Sequence, residues 1–197
     1  MTEKPVFDRL IEAATDLFLE KGYHGVSIRS LAEQANTTSA MVAYYFENKH
    51  GLFDAMVRYQ FGKFLDIAVE SMNPETPLSF KPFVSGTLKL FNENPRLAEF
   101  FIKTTPADSG PGSDYMKKLF QTGQQMVAEH GEMLKQKGLI KQDIDVEVVR
   151  ILCMSITLIP GYMRETLLEA YGEEQYAIFI ERYSDLAGSM LTDAVKA

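Results

Sequence analysis

The sequence predicts an all-α protein. Apolar residues return at three- and four-residue intervals through nearly every segment of the 197-residue chain, the spacing of one helix face. No stretch of useful length alternates apolar and polar residues, as a half-buried strand does. The breaks between periodic segments carry residues that end or start helices, among them Gly22, Asn36, Asn48, Asn73-Pro74, Asn94-Pro95 and Gly138. About nine helices are expected on this pattern.

Val6, Phe7, Leu10, Ile11, Ala14, Leu17 and Phe18 form one face of a first helix, from Pro5 to Lys21. Pro5 suits its start, because proline has no N–H to lose there, and Gly22 suits its end. Ser27 caps a short helix carrying Ile28, Leu31 and Ala32 inward. After a break at residues 34–37, Thr37 or Thr38 caps a second short helix with Val42 and Phe46 inward. Asn48 caps a third, with Leu52, Phe53, Met56 and Val57 inward, and this helix runs on to Ser71 without a proline. A continuous helix of that length is a stiff link between the first module and the rest of the chain. Further helices are expected over 80–93, 95–103, 114–137, 146–171 and 174–195. Pro160-Gly161 is expected to kink the fourth of these. Residues 105–112 read as a loop.

The bulk numbers narrow the function classes. Apolar residues make up 46% and charged residues 24%, the balance of a globular protein. No apolar run approaches the ~18 residues of a membrane span. The first residues lack a basic segment followed by an apolar run, so no secretory signal is expected. The lone Cys153 cannot form an internal disulfide, and it lies in the most apolar segment, where an inert thiol is expected. A cytoplasmic protein fits these features. His24, His50 and His130 have no metal-ligand spacing. No phosphate loop, dinucleotide fingerprint or nucleophile motif is present, so no catalytic residue, metal or cofactor is assigned and no enzyme is expected.

Residues 27–52 carry the functional signal. Two short helices joined by a tight turn and packed on a third can place one helix in a DNA major groove. Projected at about 100° per residue, the second short helix turns Val42 and Phe46 inward, with Tyr45 near them. It turns Ala40, Ala43 and Tyr44 outward, flanked by Ser39 and Met41. That low-relief face suits a groove about 12 Å wide, where Ala and Met can touch thymine methyls. Arg29 offers the only guanidinium fork of the pair, though an ion pair with Glu33 is the plainer reading. Ser27 and Thr38 mark helix N-termini suited to phosphates. Tyr45 and Lys49 are further candidates for backbone contact. Net charge argues the other way. The whole chain carries −7. In its first sixty residues, six cations (Lys4, Arg9, Lys21, Arg29, Lys49, Arg58) oppose eight anions (Glu3, Asp8, Glu12, Asp16, Glu20, Glu33, Glu47, Asp54). Affinity for phosphate must therefore come from placed groups rather than bulk basicity.

The motifs Phe18-x-x-Lys21-Gly22-Tyr23, Ser27-Ile28-Arg29-x-Leu31-Ala32, Ala35 and Tyr44-Tyr45-Phe46-x-Asn48-Lys49-x-x-Leu52 resemble those of TetR/AcrR-family transcriptional regulators. The likeness covers residues 7–55. It implies a dimer that binds DNA and a C-terminal domain whose small ligand moves the linking helix. It also implies base or nearby backbone contacts for Arg29, Ser39, Ala40, Met41 and Tyr44, and phosphate contacts for Ser27, Thr38, Tyr45 and Lys49. Two departures stand out: Ala43 replaces a tyrosine common in the family, and Thr37-Thr38 replaces Val-Ser.

The division expected is residues 1–52 for DNA binding and 53–197 for ligand binding and dimerisation. Phe61, Phe64, Phe83, Phe91, Phe100, Phe101, Met116, Phe120 and Met126 are candidates for an adaptable apolar pocket for an unknown small apolar or amphipathic effector. Ordinary core is the plainer reading of each. Residues 148–163 are apolar on nearly every side, and the last helix has a wide apolar stripe. A second copy of the chain would cover both. The expected interface residues are Met154, Leu158, Tyr176, Phe179, Tyr183 and Met190. The function expected is a ligand-responsive repressor that binds a pseudo-palindromic operator as a homodimer. The alternative is a helical small-molecule or protein-binding protein that has lost DNA binding.

Overall fold

A computed structural model describes residues 4–71, 75–104 and 113–197. These residues form nine helices: α1 (Val6–Lys21), α2 (Ile28–Gln34), α3 (Ser39–Phe46), α4 (Lys49–Ser71), α5 (Lys81–Glu93), α6 (Arg96–Thr104), α7 (Ser113–Gln136), α8 (Val146–Tyr162) and α9 (Arg164–Val195). Among the described residues the only β-type pairing is an isolated antiparallel bridge between Ile140 and Lys196. No single described helix is long and apolar enough to cross a membrane.

The chain divides into two compact units: Met1–Gly62 with Ile102–Lys117, and Lys63–Phe101 with Lys118–Ala197. The division falls inside α4, ten residues beyond the expected boundary at residue 52. The reason is that Phe53, Met56 and Val57 on the first part of α4 are buried with the other residues of the first unit.

In the first unit, α1, α2 and α3 pack on one another. Leu10, Ile11, Leu31, Val42, Leu52, Met56 and Val57 are each no more than 1% exposed. Gln60 donates to the Thr15 hydroxyl at 3.0 Å, tying α4 to α1. Three caps fix the helix ends. Gly22 takes φ +67°, a left-handed conformation suited to glycine, and its N–H bonds the Phe18 carbonyl to close α1. Ser27 and Ser30 form a reciprocal capping box at the start of α2. At the start of α4, the Asn48 carboxamide oxygen accepts from the N–H groups of His50 and Gly51 at 2.9 and 3.0 Å.

In the second unit, α5 packs on α8 and α9. The approach is close at Gly161, where an added Cβ would lie 2.3 Å from the Phe91 ring. The expected helix over 146–171 is instead two helices. α8 stops at Tyr162, and α9 leaves at a bend of 69°. Pro160 sits two residues before the end of α8 and has no N–H for the Ile156 carbonyl. The Tyr183 hydroxyl donates to that carbonyl at 2.8 Å, so the proline leaves no orphan there. A second break falls inside α9 at Gly172 (φ 74°, ψ 162°), close to where the sequence separates its last two helices.

Candidate nucleic-acid interface

The turn between α2 and α3 is built from backbone bonds and one long side chain. Asn36 takes φ +49°, a left-handed conformation that asparagine tolerates well. The Thr37 N–H bonds the Ala32 carbonyl at 2.9 Å and the Ala35 N–H bonds Leu31 at 3.0 Å. Arg9, on α1, donates through Nε to the Ala35 carbonyl at 3.0 Å and through Nη2 to Asn36 at 3.4 Å. This clamp fixes the angle between the two short helices. Sequence reasoning missed it, because only its position on the exposed edge of the first helix could have suggested it.

On α3, Val42 and Phe46 are buried, while Ser39, Ala40, Ala43, Tyr44 and Tyr45 are exposed and Met41 is half-buried. Tyr44 is 77% exposed. Its ring leans edge-on against Tyr45, at 5.0 Å between centroids. Tyr45 in turn meets Phe7 edge-on at 6.0 Å. The outward face is thus apolar and low, with two phenol hydroxyls at its rim.

The expected polar contacts fall into two groups. Thr38 is the residue before α3 and its side chain makes no capping bond, so its hydroxyl is available at that N-terminus. Ser27 instead spends its hydroxyl within the protein, accepting from the Ser30 N–H at 3.0 Å. Arg29 has a side chain 85% exposed and pairs with Glu33 at 2.8 Å, the plainer of the two sequence readings. Its pKa is raised, chiefly by the hydrogen bond to Glu33. An exposed pair of this type is worth little and exchanges readily. Lys49 folds inward: its ammonium donates to the carbonyls of Tyr23 and Val26 at 3.0 and 2.9 Å and lies 4.3 Å from the centre of the Tyr23 ring. Tyr23 is itself stacked on Phe18 and edge-on to Phe53. A cation on the first turn of a helix opposes the helix dipole, and these carbonyls offset that cost.

The second unit holds a cavity of about 160 Å³, walled by α4, α5, α7 and α8 and by the segments 76–80 and 139–144. Of the aromatic and methionine residues expected to line a pocket, Phe64, Phe83 and Met126 do. Phe91, Phe100 and Phe101 are core residues away from its wall. Phe61 is buried in the first unit. Phe120 is exposed and covered on one face by the Arg150 guanidinium at 4.1 Å. The side chain of Met116 lies outside the described residues. Sequence reasoning missed Leu139, Ile140 and Ile144 on the wall, because they lie in a connection between helices, where no periodicity marks an inner face.

The residues expected at a dimer interface sit in several environments within one chain. Met154 faces the cavity. Tyr176 is buried and donates to the Asn92 side-chain oxygen at 3.0 Å, and Tyr183 is the partner of Ile156. Leu158 and Phe179 are half-buried, and Met190 is exposed. Along α8 the exposed residues include Ile151 and a seam of Val148, Leu152, Ser155, Ile159 and Tyr162, at alternating spacings of four and three. Leu186 and Met190 are the large exposed apolar residues of the last part of α9. A helix apolar on every side gives no phase by which sequence can tell its inner face from its outer one.

A short helix with a low exposed face, held by a clamped turn on a compact helical base, defines a helix-turn-helix protein that binds DNA. Comparison with known proteins agrees. Residues 10–56 match the family described as bacterial regulatory proteins, tetR family. The chain is 26% identical over 167 residues to the "Probable HTH-type transcriptional regulator YttP" of Bacillus subtilis (strain 168), covering 81% of each chain. It is 23% identical over 129 residues to IcaR of Staphylococcus epidermidis, a negative transcriptional regulator of the biofilm operon icaADBC, covering 65% of this chain and 67% of that one. Its fold matches AibR, solved with isovaleryl coenzyme A and operator DNA, at a TM-score of 0.68 and 16% identity over 95% of this chain and 98% of that one. Residues 10–56 thus carry a TetR-family DNA-binding module, and the curated relatives support a TetR-family transcriptional regulator.

Proposed function

We propose that this regulator is a repressor that binds a pseudo-palindromic operator as a homodimer and is released by a small effector. The observation that carries the DNA half is the outward face of α3, where Tyr44 stands 77% exposed over a buried Val42–Phe46 ridge. Ala40, Met41 and Tyr44 read base edges and thymine methyls, and Ser39 bonds bases or nearby backbone. Thr38 and Tyr45 hold phosphates, and Arg29 exchanges Glu33 for guanine or phosphate. Ser27 and Lys49 keep their intramolecular bonds, and any contact they make to phosphate uses the capacity left over.

The second unit carries the effector and dimer functions. The exposed seam Val148–Leu152–Ile159–Tyr162 with Leu186 and Met190 is the surface a second copy covers. Phe64, Leu65, Ala68 and Ser71 of α4 wall the cavity, so a ligand there acts on a helix whose first part belongs to the DNA-binding unit. The ligand must bind the DNA-incompetent state more tightly, since equal affinity shifts nothing. IcaR is described as a negative regulator, and AibR was solved with isovaleryl coenzyme A and operator DNA. Both support the reading.

Tyr44→Ala tests it. Operator affinity at matched salt should fall by about 1–3 kcal/mol per half-site. The melting curve and dimer mass should stay unchanged, because the side chain is exposed. Unaltered affinity would remove Tyr44 from the reading face.

A further inference from the structure

We propose that the cavity takes a small uncharged lipophile of about six to ten non-hydrogen atoms, with at most one hydrogen-bonding group, and discriminates against carboxylates of the same length. This rests on the proposed effector role of that cavity. Its volume of about 160 Å³ is close to that of an engineered apolar cavity, about 150 Å³, that admits benzene. Its wall is almost wholly apolar, with Phe64, Leu65, Phe83, Met126, Leu134 and Val149 prominent.

The wall holds one permanent cation, Arg150, and it is already matched. Its Nε and Nη2 donate to the two carboxylate oxygens of Glu147 at 2.8 and 2.6 Å. Its Nη1 points to the Met154 sulfur at 3.5 Å, and its flat face lies on the Phe120 ring. The side chain is only 11% exposed. Glu147 stays ionised, held below its usual pKa first by the hydrogen bond from Arg150. The other titratable groups on the wall are His130 and Cys153. Burial lowers the imidazole pKa and raises that of the thiol, so both are neutral at neutral pH. Ser71 spends its hydroxyl on the Ile67 carbonyl at 2.7 Å.

A carboxylate entering this space must either strip Glu147 from Arg150 or sit without a counter-charge. The first gives up the two hydrogen bonds at 2.8 and 2.6 Å that match Arg150, and the second leaves a poorly solvated ion among apolar side chains. An alcohol of equal length keeps the apolar contact and avoids that cost.

Isothermal titration calorimetry of the full chain with 1-octanol, octanoate and octanoyl coenzyme A at pH 7.5 decides the matter. 1-Octanol should bind at least about tenfold more tightly than octanoate. Ala68→Phe, which adds a ring to the cavity wall, should abolish its heat. Glu147→Gln frees Arg150 and should narrow or reverse the preference. If that variant does not fold, the wild-type comparison decides alone. Octanoate or octanoyl coenzyme A binding as tightly as 1-octanol overturns this inference and leaves the effector role intact. An absence of binding by all three overturns both.

Discussion

Lys49→Met separates two roles for one side chain. The structure gives the ammonium two carbonyl partners, Tyr23 at 3.0 Å and Val26 at 2.9 Å, and an aromatic face at 4.3 Å. Hydrogen bonds to a charged group are each worth about 1.5–3 kcal/mol, and an exposed cation–π contact adds about 0.5–1 kcal/mol. Two terms reduce that sum. The freed carbonyls regain water in part, because the loop is largely exposed. Removing a cation from the first turn of α4 also recovers about 0.3–1 kcal/mol from the helix dipole. Methionine keeps most of the side-chain packing. The net loss expected is about 1–3 kcal/mol. Urea unfolding followed by far-ultraviolet circular dichroism reads it as a lowered midpoint at unchanged slope. A loss below about 0.5 kcal/mol together with weakened DNA binding would refute the clamp and return Lys49 to a phosphate contact alone.

Three further outcomes concern the second unit. Tyr183→Phe leaves the Ile156 carbonyl, already deprived of its helical partner by Pro160, without the hydroxyl at 2.8 Å. A loss of about 1–3 kcal/mol is expected in thermal or urea unfolding, and an unchanged melt would mean that water replaces the bond. Leu152→Glu with Leu186→Glu places charge on two exposed apolar positions. Sedimentation should show a monomer with native helicity, and a persistent dimer would move the interface elsewhere. Cys153 has its thiol pushed up to about 12 by burial, against an ordinary value of 9.0. Its folded pKa is raised, so its contribution to stability is complete below pH 9 and is lost as pH climbs from 9 to about 12. Below that window the thiol should resist a disulfide reagent until the chain is unfolded. Rapid labelling of native protein at pH 8 would contradict the burial.

Periodicity and caps make most of the fold legible in the sequence. The first helices each have one apolar stripe, and Gly22, Ser27 and Asn48 mark their ends, so the pattern sets Val42 and Phe46 inward and Tyr44 outward. Long cations are harder. Nothing in the sequence separates a lysine that reaches solvent from one that folds back, and both Lys49 and Arg9 take carbonyls of the helix connections. The second unit defeats the same reasoning where it lacks contrast. Residues 148–163 are apolar all round, so the pattern carries no phase that separates Met154, on the cavity wall, from the exposed Leu152 and Ile159. Aromatic composition does not divide Phe64 and Phe83, on a cavity wall, from Phe91 and Phe100 in solid core. The sequence points to a bend at Pro160, yet the chain turns at Met163. A proline marks a weak helix position, and packing decides where the chain turns.

Selection of bound sequences from a random duplex pool tests the reading of α3 most directly, since it works without a defined operator. The selected pool should converge on a two-fold symmetric motif with half-sites one helical turn or a multiple apart, and the same experiment with Tyr44→Ala should lose or relax that motif. A pool that stays random, or binding that is equal for all duplexes at every salt concentration, would contradict sequence recognition by this helix.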